Sequence, residues 1–177
     1  MKLFCIGLSH HTAGVSLRER FAVDPGALAS LLGDLRARAS LSEAVLLSTC
    51  NRIEVYGLAP DPAAAARTCA DFLQEAAGTE ADFYRHERTE SARHLFRVAC
   101  GLDSMVVGET EILGQVKGAY AAAHEGGSTG AALNRLFQSA FRVAKQVRTD
   151  TAIARGAVSV GSVAVELAEK IFGDLAP

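Results

Sequence analysis

The sequence predicts an α+β fold, with a ferredoxin-like split βαβ sheet lobe followed by a helical bundle lobe. Three observations carry that expectation. The order of strand-like and helix-like runs up to about His86 is β α β β α β, the order that a split βαβ sheet requires. After Thr89 the apolar period changes, and residues recur at three- and four-residue spacing in one helix-like segment after another. No internal repeat and no low-complexity segment interrupts either half. The expected division is 1–88, 89–157 and 158–177.

Each element has a local reason. "KLFCIGLS" reads as the first strand, and "SLRERFAV" as a short helix after a turn at Ala13 and Gly14. Asp24 is expected to cap a second helix, with Pro25 in its first turn and Leu28, Leu31, Leu32 and Leu35 as its apolar stripe. "EAVLLST" and "RIEVYGLA" are strand-like runs joined through the polar break Thr49, Cys50, Asn51. Asp61 and Pro62 open a third helix that runs to about Ala77, and "DFYRH" is a short last strand. Helices are then expected over 90–102, 109–124, 130–150 and 158–172, with "EGGSTG" (125–130) as a loop between two of them.

Composition narrows the classes of function. With 49% hydrophobic and 21% charged residues, the 177-residue chain can bury a sizeable core and does not read as disordered. A formal net charge of -2 argues against a generally basic nucleic-acid binder, so any RNA contact must be regional. The opening "MKLFCIGLSHHT" is too short an apolar run for a signal sequence, and no stretch approaches membrane-spanning length. A cytoplasmic protein without a membrane partner is expected. Cys5, Cys50, Cys69 and Cys100 lie far apart without a CxxC pair, which points to reduced thiols rather than a disulfide or zinc framework.

Cys50 stands out because an apolar strand ends there among Ser48, Thr49, Asn51 and Arg52. A strand end can hold a reactive side chain while leaving its tip exposed. A thiol attacks as thiolate, and a guanidinium two residues away favours that form. The competing reading is a half-buried cysteine acting as a small hydrophobe, for which so polar a surround has no use.

Four blocks in order, "GLSHHTAGVSLRERFA" (7–22), "LLSTCNRIEVYG" (46–57), "HLFRVACGLDSMVVGETEILGQVKGAYAAA" (94–123) and "LNRLFQSAFRVAKQVRTDTAI" (133–153), resemble the glutamyl-tRNA reductase family and span nearly the whole chain. The resemblance implies that Cys50 attacks the ester of glutamyl-tRNA and holds the glutamyl group as a thioester. NADPH then reduces it to glutamate semialdehyde, the first step of tetrapyrrole (haem) synthesis. It implies that Arg52 pairs with the substrate's side-chain carboxylate through its planar fork, with Thr49 and Asn51 in the same pocket. Ser104, Glu109 and Gln115 would hold the amino and carboxyl ends of the glutamyl group. His94 would stand near the thiol to orient the ester or shuttle a proton, against the alternative of an ordinary helix histidine.

On the helix 130–150, Leu133, Leu136, Phe137, Ala140, Phe141, Ala144 and Val147 form a core stripe, and Arg135, Arg142 and Lys145 share a flank. Such a flank is commonly a solvated face, and the resemblance makes it a candidate tRNA contact. His10 and His11 are neighbours on an extended segment and point to opposite faces, so no metal is expected there. A zinc site of Cys50 with His94 has no ligand spacing behind it.

The family continues into a dinucleotide-binding domain and a dimerisation bundle. This chain ends at "IFGDLAP", and "GAVSVG" (156–161) lacks the GxGxxG pattern, so no NADPH-binding residue is expected here. The reading is an α+β catalytic lobe (1–88), a helical lobe completing the pocket (89–157) and a helix leading onward (158–177). Such a piece would acylate and slowly hydrolyse but not reduce. A full-length homodimer and a monomeric fragment are implied, as are glutamate-1-semialdehyde aminomutase and regulatory proteins as partners of the whole enzyme. The competing classes are a non-catalytic tRNA-binding or regulatory module and a generic cysteine hydrolase.

Overall fold

The computed structural model describes residues 1–24, 26–153 and 160–173. Strands β1 (Lys2–Ser9), β2 (Glu43–Ser48), β3 (Arg52–Ala59) and β4 (Tyr84–Glu87) form one antiparallel sheet in the order β2-β3-β1-β4. Helices α1 (Val15–Arg20) and α2 (Leu28–Arg38) connect β1 to β2, and α3 (Pro62–Ala77) connects β3 to β4. This is the split βαβ sheet that the element order predicts. Four helices follow, α4 (Thr89–Ala99), α5 (Glu111–Glu125), α6 (Ala131–Asp150) and α7 (Val160–Phe172).

Every residue of β3 is buried, so both faces of the sheet are covered. On one face Tyr56 meets Phe137 of α6 edge-on at 5.7 Å, and Glu54 meets His94 of α4. The other face packs α2 and α3, while α5 runs against β2. Phe4, Val45, Val55, Leu95, Val116 and Phe137 belong to one continuous core, so α4, α5 and α6 pack onto the sheet.

Local rules account for most boundaries. Asp61 caps α3 by accepting the N–H groups of Ala63 and Ala64, Pro62 fills the first turn, and Gly78 ends the helix in the left-handed region. Asp24 is not the cap of α2. Its carboxylate accepts the Gly26 N–H in a turn, and the helix starts at Leu28 with Ala27 as its N-cap. Short-range side-chain bonding of this kind competes with a cap. Pro25 lies outside the described residues. The last strand begins at Tyr84, two residues later than expected. α4 stops at Ala99 because Gly101 takes a φ of 74°, and α5 begins at Glu111, which leaves Ser104 and Glu109 on the loop between them.

The start of α6 shows how the sheet and the later helices are tied. Gly130, its N-cap, offers no side chain, and the Glu43 carboxylate at the head of β2 accepts the N–H groups of Gly130 (2.9 Å), Ala132 (3.3 Å) and Leu133 (2.8 Å). A carboxylate here satisfies orphan donors and meets the positive end of the helix dipole. Glu43→Ala is expected to lower stability by about 1–2 kcal/mol, the range of a lost cap, read as the midpoint of urea unfolding. An unchanged midpoint would mean that water replaces the carboxylate at no cost.

Candidate active site at the β2–β3 hairpin

Ser48 and Ile53 are the last paired residues of β2 and β3, so Thr49 to Arg52 make the tight turn between them. Thr49 N–H donates to the Arg52 carbonyl at 2.9 Å, and the Thr49 hydroxyl accepts the N–H groups of Asn51 and Arg52 at 3.2 and 3.1 Å. The tip is pinned from outside as well. Arg18 Nε donates to the Cys50 carbonyl at 3.1 Å, and His10 N–H donates to the Asn51 carbonyl at 2.9 Å. Cys50 is therefore held by its backbone while its side chain is exposed, and it is the only exposed cysteine of the four.

The other three thiols are inert by environment. Burial pushes Cys5 well up, an effect that the Glu54 charge reinforces; it pushes Cys69 up to about 12, and it raises Cys100 as well.

Cys50 opens on a cavity of about 260 Å³ lined by Thr49, Cys50, Asn51, Arg52, Ser104, Glu109, Glu111, Ile112, Gln115 and Gly161. All the residues expected at the glutamyl pocket are there except His94. Glu111, Ile112 and Gly161 were not expected. The loop carrying Ser104 and Glu109 is closed at its neck by Gly108 N–H to the Gly101 carbonyl at 2.9 Å, and Arg148 of α6 donates to the Glu109 carbonyl at 2.8 Å. A local loop closure and one long-range clamp thus fix the far wall of the cavity.

Below the thiol lies a buried polar network that the sequence reading did not anticipate. Arg52, Glu54 and Tyr56 alternate along β3 onto the face covered by α4 and α6. Glu54, wholly buried, accepts from Arg52 Nη1 (2.8 Å), Tyr56 Oη (2.6 Å) and Tyr84 Oη (2.5 Å), and its Oε1 lies 2.8 Å from His94 Nε2. Arg52 also donates to the Asp103 carboxylate (3.1 Å) and to the Asp103 carbonyl. Gly7 of β1 sits opposite both Glu54 and Tyr84. A Cβ there would stand 2.7 Å from the Glu54 side chain and 3.0 Å from the Tyr84 hydroxyl, so glycine makes the room in which they meet.

Burial alone would raise the Glu54 carboxyl, but the His94 hydrogen bond, the Arg52 charge and the Tyr56 hydroxyl outweigh it and hold it well below the carboxylate range. Burial works against the Arg52 charge too, and Glu54, Tyr84 and Asp103 together more than offset it. Arg52 and Glu54 are a fully charged internal pair.

His94 differs from expectation. It lies on α4, drawn onto Glu54, and lines a second cavity of about 440 Å³ with Ser9, His11, Thr12, Tyr84, His86, Glu90, Arg93, Arg97 and Asp103. No histidine lines the thiol cavity. Cys5, Glu54 and His94 offer metal-type donor atoms within 4.8 Å of one another. Glu54 is already saturated, and Arg52 would face any cation at close range, so the donor chemistry favours a hydrogen-bonded cluster. Arg135, Arg142 and Lys145 are exposed on α6. No helix among the described residues is long and apolar enough to cross a membrane.

Fold and site together define an α+β domain that presents one reachable cysteine, backed by a buried guanidinium, to a ligand-sized cleft. A family model described as the N-terminal domain of glutamyl-tRNAGlu reductase matches residues 6–151, and the chain belongs to that family. It is 51% identical over 176 residues to a glutamyl-tRNA reductase of Xanthomonas oryzae pv. oryzae (strain PXO99A), covering 99% of this chain and 40% of that protein. It is 49% identical over 180 residues to a glutamyl-tRNA reductase of Akkermansia muciniphila, covering 99% of this chain and 53% of that one. The solved structure of glutamyl-tRNA reductase from Methanopyrus kandleri superimposes with a TM-score of 0.75 at 41% identity, over 98% of this chain and 41% of that chain. The chain thus spans about half or less of the length of these relatives.

Proposed function

We propose that this domain performs the acylation half of the glutamyl-tRNA reductase reaction, with Cys50 as nucleophile. The single observation behind this reading is that the one exposed cysteine shares a cavity with Arg52, Ser104, Glu109 and Gln115. The Cys50 thiolate attacks the carbonyl carbon of the aminoacyl ester. A C–S bond forms, the C–O bond to the terminal ribose breaks, and the leaving ribose oxygen takes a proton from water, balancing the one that the thiol gave up on ionising. Arg52 receives the side-chain carboxylate, Glu109 the ammonium, and Thr49, Asn51, Ser104 and Gln115 orient the rest. An ester is already activated, so orientation counts for more than a strong base. His94 acts in this reading through Glu54, fixing Arg52, and not on the sulfur.

Reduction of the thioester to the aldehyde, which would commit the product to tetrapyrrole synthesis, would need a hydride from NADPH. The residues described do not fit that cofactor: the glycine-led N-terminus of α6 is filled by Glu43, and no described strand-to-helix turn is glycine-rich. No step of this domain runs through it. Glutamyl-tRNA is the partner, and Arg135, Arg142 and Lys145, exposed on α6, are the candidates for its phosphate contacts.

A Cys–His hydrolase requires a base on the sulfur, and the thiol cavity has no histidine. The acylation reading is tested by incubating the folded domain with glutamyl-tRNA and weighing the protein. A glutamyl adduct on Cys50 is expected, with accelerated loss of the tRNA ester, and Cys50→Ala should return ester loss to the no-enzyme rate. Equal deacylation by the alanine variant would assign the chemistry elsewhere, and no adduct with either protein would favour a binding module.

A further inference from the structure

The Arg52 guanidinium, offered above to the substrate's carboxylate, already holds two carboxylates. Arg52, Glu54 and Asp103 sum to a formal charge of -1 by their residue types, and His94 adds at most one positive charge. A third carboxylate brought onto the same guanidinium would place like charges side by side in a site where Arg52 is 2% exposed. Repulsion at that depth is poorly screened, and one of the anions has to give way.

Glu54 cannot. It is wholly buried and fixed by Arg52, Tyr56, Tyr84 and His94. Asp103 can, because its side chain is 15% exposed and, among the described residues, its carboxylate makes one direct hydrogen bond, to Arg52. It also has somewhere to go. Its Oδ1 lies 3.9 Å from Arg97 Nη2 and 3.9 Å from His11 Nε2, and the carboxylate lines the neighbouring cavity with those two side chains. Its backbone stays in place meanwhile, since the Asp103 carbonyl accepts from Arg52 Nη2 whatever the side chain does. The next residue, Ser104, lines the thiol cavity, so the exchange happens at the wall of the reacting site.

We propose that Asp103 is a specificity-determining residue whose carboxylate keeps the seat on Arg52 that the substrate's side-chain carboxylate takes, turning toward Arg97 and His11 as the substrate enters. This rests on the reading of Arg52 as the carboxylate receptor. A resident anion acts as a competitor built into the site: a ligand without negative charge gains nothing that would displace it. Asp103 is a positioning residue here, since it acts through Arg52 and touches no reacting atom.

The test uses charge-selective alkylation of Cys50, without tRNA. Iodoacetate carries a carboxylate one carbon from the carbon attacked by sulfur, and iodoacetamide is its neutral counterpart. The ratio of the two rates at Cys50, followed by peptide mass, reports how well an anion is received beside the thiol. Asp103→Asn is expected to raise the iodoacetate-to-iodoacetamide ratio about tenfold, whereas Glu111→Gln, which removes one charge from the lining of the thiol cavity itself but leaves the carboxylates on Arg52 in place, should raise it by much less. A structural defect alone would move both rates together. Equal ratios for the two variants would overturn the proposal. Should Asp103→Asn fail to fold, Asp103→Ser is read by the same ratio. Loss of glutamyl adduct formation in the parent protein would instead count against the acylation reading, so the two failures are distinct.

Discussion

Replacing Glu54 with alanine is expected to destabilise the domain by about 3–5 kcal/mol, a large part of the stability of a domain this size. The reason is what remains behind. Arg52 stays 2% exposed with only Asp103 to balance it, and the hydroxyls of Tyr56 and Tyr84 lose the acceptor that they share. Removing one member of a buried charged pair costs far more than the pair contributes, because the desolvated partner is left uncompensated. Replacing Glu54 with glutamine keeps the shape and one acceptor oxygen, so its cost should be smaller but still marked. Urea unfolding of the parent and both variants measures this. An alanine variant with the parent's midpoint would mean that Arg52 finds water or another partner.

The same carboxylate sets an acid limit. Its pKa in the folded protein lies below the unfolded value, so its contribution is complete at neutral pH. It begins to fade as pH falls past about 4.3, the unfolded carboxyl value, and is lost as the folded value is approached. Glu54→Gln should flatten this part of the stability curve.

How much of this was legible beforehand differs from element to element. The sheet order follows from the order of runs, because a β α β β α β chain has few ways to pair its strands. The hairpin tip was visible as a polar break between two apolar runs. Arg52, Ile53, Glu54, Val55 and Tyr56 also show their alternation in the sequence, yet a polar face on a strand normally means solvent. Here α4 and α6 cover it, and two of the four groups that satisfy Glu54 come from β4 and α4, thirty and forty residues away. No single-sequence period reports such a closure. Gly7 was the available clue, a glycine inside a strand, which marks a close approach of neighbours. Ser104, Glu109 and Gln115 came from family resemblance alone. They sit on a loop and a helix start whose spacing carries no chemistry, and only the fold brings them to the thiol. His94 was placed by that resemblance near the sulfur, and the structure shows its Nε2 2.8 Å from the buried Glu54 carboxylate, lining a different cavity from the thiol.

Arg52→Lys is expected to slow acylation of Cys50 by glutamyl-tRNA by roughly 30- to 4,000-fold, equivalent to about 2–5 kcal/mol, while leaving the fold largely intact. Lysine preserves the positive charge beside Glu54, so the internal pair survives. What it cannot reproduce is the fork. Arg52 reaches Glu54 and both the carboxylate and the carbonyl of Asp103 through two separate nitrogens while also lining the thiol cavity. A single ammonium pulled toward the wholly buried Glu54 would turn away from the cavity, and a substrate carboxylate would enter without a bidentate partner. Discrimination should fall along with rate, because the planar fork is what separates a carboxylate from the amide of a glutaminyl group. Single-turnover acylation with glutamyl- and glutaminyl-tRNA, read as adduct mass on Cys50, measures both effects. If the lysine variant acylates within threefold of the parent and still rejects the glutaminyl ester, Arg52 is a structural cation only. The receptor for the side-chain carboxylate must then be sought among the remaining polar residues of the cavity.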